Sequence, residues 1–249
     1  IKAVGSMIDY TPRYPDTVFA NALWSFRPLL DAAVADAAAG NPSGQHYTPL
    51  SLLKAEHRFE RLLDALPRMP RRTLILSSEE LAGHMPGRGD LADYGAAPDL
   101  LAVYCAVLQR RFPRSEVLVY LSTRASDDWL ASAYWEHVTS SNMTLGLQDF
   151  AARYAPAADL EGMAAEIADR LPCPVHHCRL EVSRRGPLGP ATPLLDLCDL
   201  PPDVLSALTP APAANRHRDP AILNALLDAN RRHADDAEAR RRAKTAILQ

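Results

Sequence analysis

Three side chains stand at spacings suited to chemistry on an anionic substrate: Arg124, Ser132 and Glu79. Residues 117–121 form an uncharged β-branched and aliphatic run, short enough for a central parallel strand. Thr123 and Arg124 fall at the carboxyl end of that strand. Ser126, Asp127 and Asp128 then supply the N-cap and first turn of a helix carrying Trp129, Leu130, Ala133, Tyr134 and Trp135. Open α/β sheets bind anions at this place, where a helix N-terminus faces the strand ends. Ser132 follows Arg124 by eight residues, so its hydroxyl comes from the second helical turn to the anion that the guanidinium meets from the loop. The planar fork of arginine suits bidentate contact with a phosphate. Asp127 and Asp128 add negative charge nearby, but they also match the positive helix end and are expected to point to solvent.

Glu79 follows a second apolar strand, residues 72–76, and is the expected base for removing a proton from a hydroxyl. Two other roles stay open. Ser77 or Ser78 with Glu80 also reads as a helix cap, and Glu80 is an alternative to Glu79 as the base. Ser132, taken alone, also reads as a small residue that lets its helix approach a sheet. His137 is expected as a polar residue near the surface of its helix. Cys173, His176, His177 and Cys178 have the residue types of a zinc site, but on a strand the two histidines point to opposite faces, so no metal is expected.

The elements that must position these groups alternate along the chain. Residues 1–15 read as polar and irregular, 17–39 as a helix restarted at Pro28, and 40–49 as a loop. Residues 50–66 carry a clear amphipathic stripe of Leu52, Leu53, Phe59, Leu62, Leu63 and Leu66. A helix is expected over 99–112, a helix pair centred on Phe150 and Ile167, and a last strand over 174–180. Short helical pieces over 194–208 precede a C-terminal helix from Pro220, which has Ile222, Leu223, Leu226 and Leu227 on one face and a solvated Arg-rich run over 231–244. Few strands separated by helices predict an α/β fold with a central parallel sheet flanked by helices, as a single domain over 1–249.

The strand, Arg124, the following helix with Ser132, and the aromatic pair after that serine resemble the sulfotransferase superfamily, most closely its bacterial-type members. The strand before Glu79 extends the likeness. The resemblance implies a P-loop-type α/β fold and 3'-phosphoadenosine 5'-phosphosulfate (PAPS) as co-substrate, with Arg124 and Ser132 on its 3'-phosphate. It implies Glu79 as base toward a hydroxyl acceptor, a carbohydrate or a small molecule. Carbohydrate-sulfating members of the family use a Glu at that place, and Asn215-Arg216 resembles a loop of bacterial members. The sequence departs from the family at two places. It contains no Gly/Lys/Thr phosphate loop, so that loop and its strand either lie upstream of Ile1 or have been lost with catalysis. Ala125 and Ser126 replace the acid or Asn and the Pro that follow the family's Arg. If catalysis has been lost, the fold serves as a binding or scaffold protein. A kinase-like phosphoryl transferase, a less favoured reading, would need both a phosphate loop and a magnesium-binding acid, and the sequence shows neither.

Composition bounds the rest. A net charge of -3 gives no general attraction to nucleic acid or an anionic membrane. Four cysteines in 249 residues suit reduced thiols in the cytoplasm better than a disulfide framework. No apolar run approaches the roughly 18 residues of a membrane span, and no signal-peptide pattern is found.

Overall fold

The computed structural model describes residues 7–10, 49–66, 73–88, 91–198, 200–210 and 219–249. In chain order these form β1 (Met7–Tyr10), α1 (Pro49–Ala65), β2 (Leu74–Ser77), a 3-10 turn at Glu79–Ala82, α2 (Ala97–Arg111) and β3 (Val119–Thr123). Then come α3 (Ser126–Ser140), α4 (Leu147–Tyr154), α5 (Leu160–Arg170), β4 (Val175–Arg179) and the one-turn α6 (Leu180–Ser183). Last are α7 (Thr192–Asp196), α8 (Pro202–Ala207), α9 (Pro220–Arg232) and α10 (Ala237–Leu248). The result is a helix-rich α/β chain with a small parallel sheet. The expected helix over 17–39 and Asn215-Arg216 lie outside the described residues. The chain divides into two compact units, Ile1–Arg124 with Leu160–Pro212, and Ala125–Asp159 with Ala213–Gln249.

The core of the first unit follows from two apolar stripes. Ala55, Phe59, Leu62 and Leu63 of α1 bury against Leu100, Leu101, Tyr104 and Val107 of α2, with the Phe59 and Tyr104 rings 4.5 Å apart. Ile167 of α5, Leu171 and Cys173 close the cluster, and Leu74, Leu76, Val119 and Leu121 lay the strands on it. Pro98 near the start of α2, Asp99 in its first turn and Arg110 and Arg111 in its last suit its ends and its dipole.

Two strand expectations change. Residues 1–15, read as irregular, contain β1, which pairs antiparallel with β2 from Met7↔Ser77 to Tyr10↔Leu74. The strand before Glu79 therefore does not run in a parallel ladder with β3, and among the described residues β3 pairs only with β4. An apolar run specifies burial but neither the partner strand nor its direction. The parallel ladder runs from Val119↔Val175 to Thr123↔Arg179. It ends two residues later than the apolar run of 117–121, because pairing with β4 carries backbone bonding on into the polar Ser122 and Thr123.

The second unit is built around Phe150, which is fully buried. Its ring lies 5.3 Å from Tyr134, 5.6 Å from His137 and 4.7 Å from Tyr154. His137 is not a surface residue. It is fully buried, because it continues at intervals of four the stripe begun by Trp129 and Ala133. Ser126 does not cap α3 either: Ala125 is the N-cap residue, and the Ser126 hydroxyl donates instead to the Ala158 carbonyl at 2.9 Å. Asp127 and Asp128 are exposed, as expected.

The C-terminal end of α3 leaves carbonyls without helical partners, and side chains from the end of the sequence supply donors. Asn230, fully buried on α9, donates to Val138 O at 3.0 Å and Met143 O at 2.8 Å. Arg231 Nε donates to Thr144 O at 2.9 Å, and Lys244 Nζ to Ser141 O at 2.6 Å. The expected solvated run over 231–244 is thus interrupted. Asp236 caps a separate helix by accepting from the Glu238 and Ala239 N–H groups, and that helix turns Lys244 inward to 8 % exposure. Burial, helped by the nearby Arg240 charge, lowers the Lys244 pKa to about 8.

Asn230→Leu keeps the volume and removes both donors, so urea unfolding should show a loss on the order of 2–4 kcal/mol. Lys244 binds its proton more weakly folded than unfolded. Its charge is fully opposed by burial below pH 8, and stability should rise between about pH 8 and the unfolded value near 10.5. Urea midpoints across that window should climb for the wild type and flatten for Lys244→Met.

Candidate functional site at the carboxyl ends of β3 and β4

Parallel pairing brings the carboxyl ends of β3 and β4 side by side, with Thr123 opposite Arg179 and Leu121 opposite His177. Alternation along the strands puts His177 and Arg179 on the same face as Thr123. Glu161, in the first turn of α5, reaches the same edge. Its Oε1 accepts from the Thr123 hydroxyl at 2.5 Å and lies 3.3 Å from Arg179 Nε, while its Oε2 is 3.7 Å from His177 Nδ1. The Thr123 hydrogen bond is the largest influence on the Glu161 carboxyl; desolvation opposes it, and Arg179 and then His177 add to it, so the carboxyl is held below the usual range. Thr123 itself is 1 % exposed, so its hydroxyl is committed to this one carboxylate.

Arg124 leaves the same edge one residue later. Its Nε lies 3.8 Å from Glu181 Oε1, with the two side chains 26 % and 22 % exposed. That is an ion pair but too long for a hydrogen bond. Arg124 Nε and Glu181 Oε2 are both buried atoms without a hydrogen-bond partner. A guanidinium carries five donors, so of the two arginines here Arg124 is the one whose bonding capacity is least engaged. Glu181 was not singled out from sequence. Its sequence signal is an acid just after the last strand; the register that sets it beside the residue following β3 comes only from the structure.

The residues expected to do chemistry are distributed as follows. Arg124 stands at the carboxyl end of a parallel strand, as read. Ser132 lies half-buried in the second turn of α3, between the buried Trp129 and Ala133. Arg124 is the last residue of the first unit and Ser132 belongs to the second. Glu79 opens the 3-10 turn directly after β2; its side chain and that of Glu80 lie outside the described structure. Cys173 is buried, whereas His176 and His177 are exposed on opposite faces of β4. Among the described residues, no three metal-ligating side chains converge.

The arrangement can do two things. It fixes α5 over the strand ends through Glu161, and it presents one partly engaged guanidinium beside a carboxylate. No family model, curated protein or solved structure matches the chain.

Thr123→Val should remove the largest influence lowering the Glu161 pKa and destabilise the protein by about 1–2 kcal/mol at neutral pH. The stabilisation linked to a lowered carboxyl pKa is present above the unfolded value and disappears as pH falls through the folded one. The gap between wild type and variant in urea melts should therefore narrow between pH 6 and pH 3, taken as roughly the range spanning a carboxylate titration.

Proposed function

We propose that this protein is a PAPS-dependent sulfotransferase of P-loop-type α/β fold that moves a sulfuryl group to a hydroxyl acceptor in the cytoplasm. The observation that carries the reading is the β3–Arg124–α3 segment. A parallel strand delivers a guanidinium at its carboxyl end, and two residues on a helix begins whose second turn bears Ser132. In this reading Arg124 holds the 3'-phosphate of the nucleotide. Glu79 accepts the proton of the acceptor hydroxyl, the acceptor oxygen bonds to sulfur, and the sulfur–oxygen bond to the 5'-phosphate breaks. Adenosine 3',5'-bisphosphate leaves with the electron pair. Arg124 Nε makes no hydrogen bond, so its pairing with Glu181 leaves that donor unused. The acceptor is a carbohydrate or a small molecule.

A second reading has its own observation. Glu181 beside Arg124 neutralises the cation on which the transferase reading depends. That favours a non-catalytic binding or scaffold protein built on a related fold.

Calorimetry with adenosine 3',5'-bisphosphate separates the two. The transferase reading expects saturable heat, weakened about 10- to 100-fold by Arg124→Ala through loss of a charge-assisted phosphate contact. It also expects tighter binding by Glu181→Gln, which removes the competing carboxylate. Absence of heat from folded wild-type protein, or equal binding by Arg124→Ala, would leave the scaffold reading standing.

A further inference from the structure

Two of the four cysteines, 68 residues apart in sequence, meet inside the first unit. Cys105 sits on the core face of α2 and Cys173 in the short connection between α5 and β4; they are 2 % and 7 % exposed. Their sulfurs are 3.0 Å apart, in a thiol–thiol contact. Both belong to the cluster that packs α1, α2 and α5 together. Two sulfurs in direct contact have about 1 Å to close before reaching disulfide bonding distance.

We infer that Cys105 and Cys173 are a covalent modification site, closing to a disulfide that ties α2 to the start of β4 when the chain meets an oxidised low-molecular-weight disulfide. In that step one thiolate attacks the oxidant's S–S bond and forms a mixed disulfide, releasing one small thiol. The second cysteine sulfur then displaces the other small thiol and forms the Cys105–Cys173 bond. Two protons and two electrons pass from the cysteines to the oxidant, which leaves as two thiols. Burial, together with the hydrogen bond between the pair, pushes the Cys105 thiol far above its ordinary pKa. The folded protein is therefore slow to exchange, and the bond forms fastest while the core is assembling or transiently open.

The consequence reaches the strand edge. β4 begins two residues after Cys173 and carries His177 and Arg179, and Glu181 follows it. A staple at its start fixes the strand on which the Arg124–Glu181 pair and the Glu161 network depend. This inference does not rest on the transferase reading.

The test uses the full chain, reduced and denatured, then refolded in a mixture of glutathione and glutathione disulfide. Remaining thiols are alkylated in denaturant and the digest is mapped by mass spectrometry. The expected product joins the Cys105 and Cys173 peptides and leaves Cys178 and Cys198 alkylated. Native protein treated with diamide should give the same link more slowly. The oxidised form should melt roughly 10 °C higher than the same sample with reductant, as expected for a bond closing so long a loop. The shift should persist in a C178S/C198S double variant and vanish in C173S. Folded protein in which Cys105 and Cys173 are both alkylated after either treatment, or are joined to Cys178 or Cys198 instead, overturns the proposal.

Discussion

The parallel ladder between β3 and β4 is the constraint on which the first unit depends. Parallel neighbours cannot be joined by a tight turn, so the chain must leave the end of one strand and return to the start of the other. It does so through α3, α4 and α5, and only α5 belongs to the same compact unit as the strands. Because both strands point the same way, their polar ends gather at one edge. Thr123, Arg124, Arg179 and Glu181 are neighbours for that reason alone.

Charge at this edge is arranged in two tiers. Glu161 is tightly held: a buried hydroxyl, a guanidinium and an imidazole all face it, and its proton affinity falls accordingly. Arg124 and Glu181 are more loosely matched, with a separation that leaves a buried donor and a buried acceptor unused. A half-buried ion pair without full hydrogen bonding gains little net stability, since desolvation opposes the attraction. The first tier anchors a helix, and the second leaves Arg124 Nε and Glu181 Oε2 without hydrogen bonds. The same polar groups thus serve different ends through geometry rather than residue type.

The second unit solves a different problem. The end of α3 and the loop that follows present carbonyls that need donors, and Val138, Ser141 and Thr144 take them from Asn230, Lys244 and Arg231 at the far end of the chain. This couples the helix bearing Ser132 to α9 and α10 through polar contacts, while Phe150 and the rings around it supply the apolar contact. Lys244 remains buried at the cost of a weakened hold on its proton. The interior of the second unit is thus made from two chain segments that lie far apart in sequence.

Sequence alone determined most of the helices, because periodicity needs no partner. The stripe of Phe59, Leu62 and Leu63 marks α1, Phe150 and Tyr154 mark α4, and Leu226 and Leu227 mark α9. Arg124 at a strand end was equally legible, since a polar residue after an apolar run has few other places to go. Burial of His137 was available in the four-residue repeat with Trp129 and Ala133, and the polarity of imidazole hid it. What only tertiary structure decided was pairing: β2 with β1 rather than in a parallel ladder with β3, Arg124 with Glu181, Cys105 with Cys173, and Lys244 with the end of α3. Local pattern records how much water a residue avoids. Which distant residue replaces that water depends on register, crossover and the packing of helices, and none of these is written into a short stretch of chain.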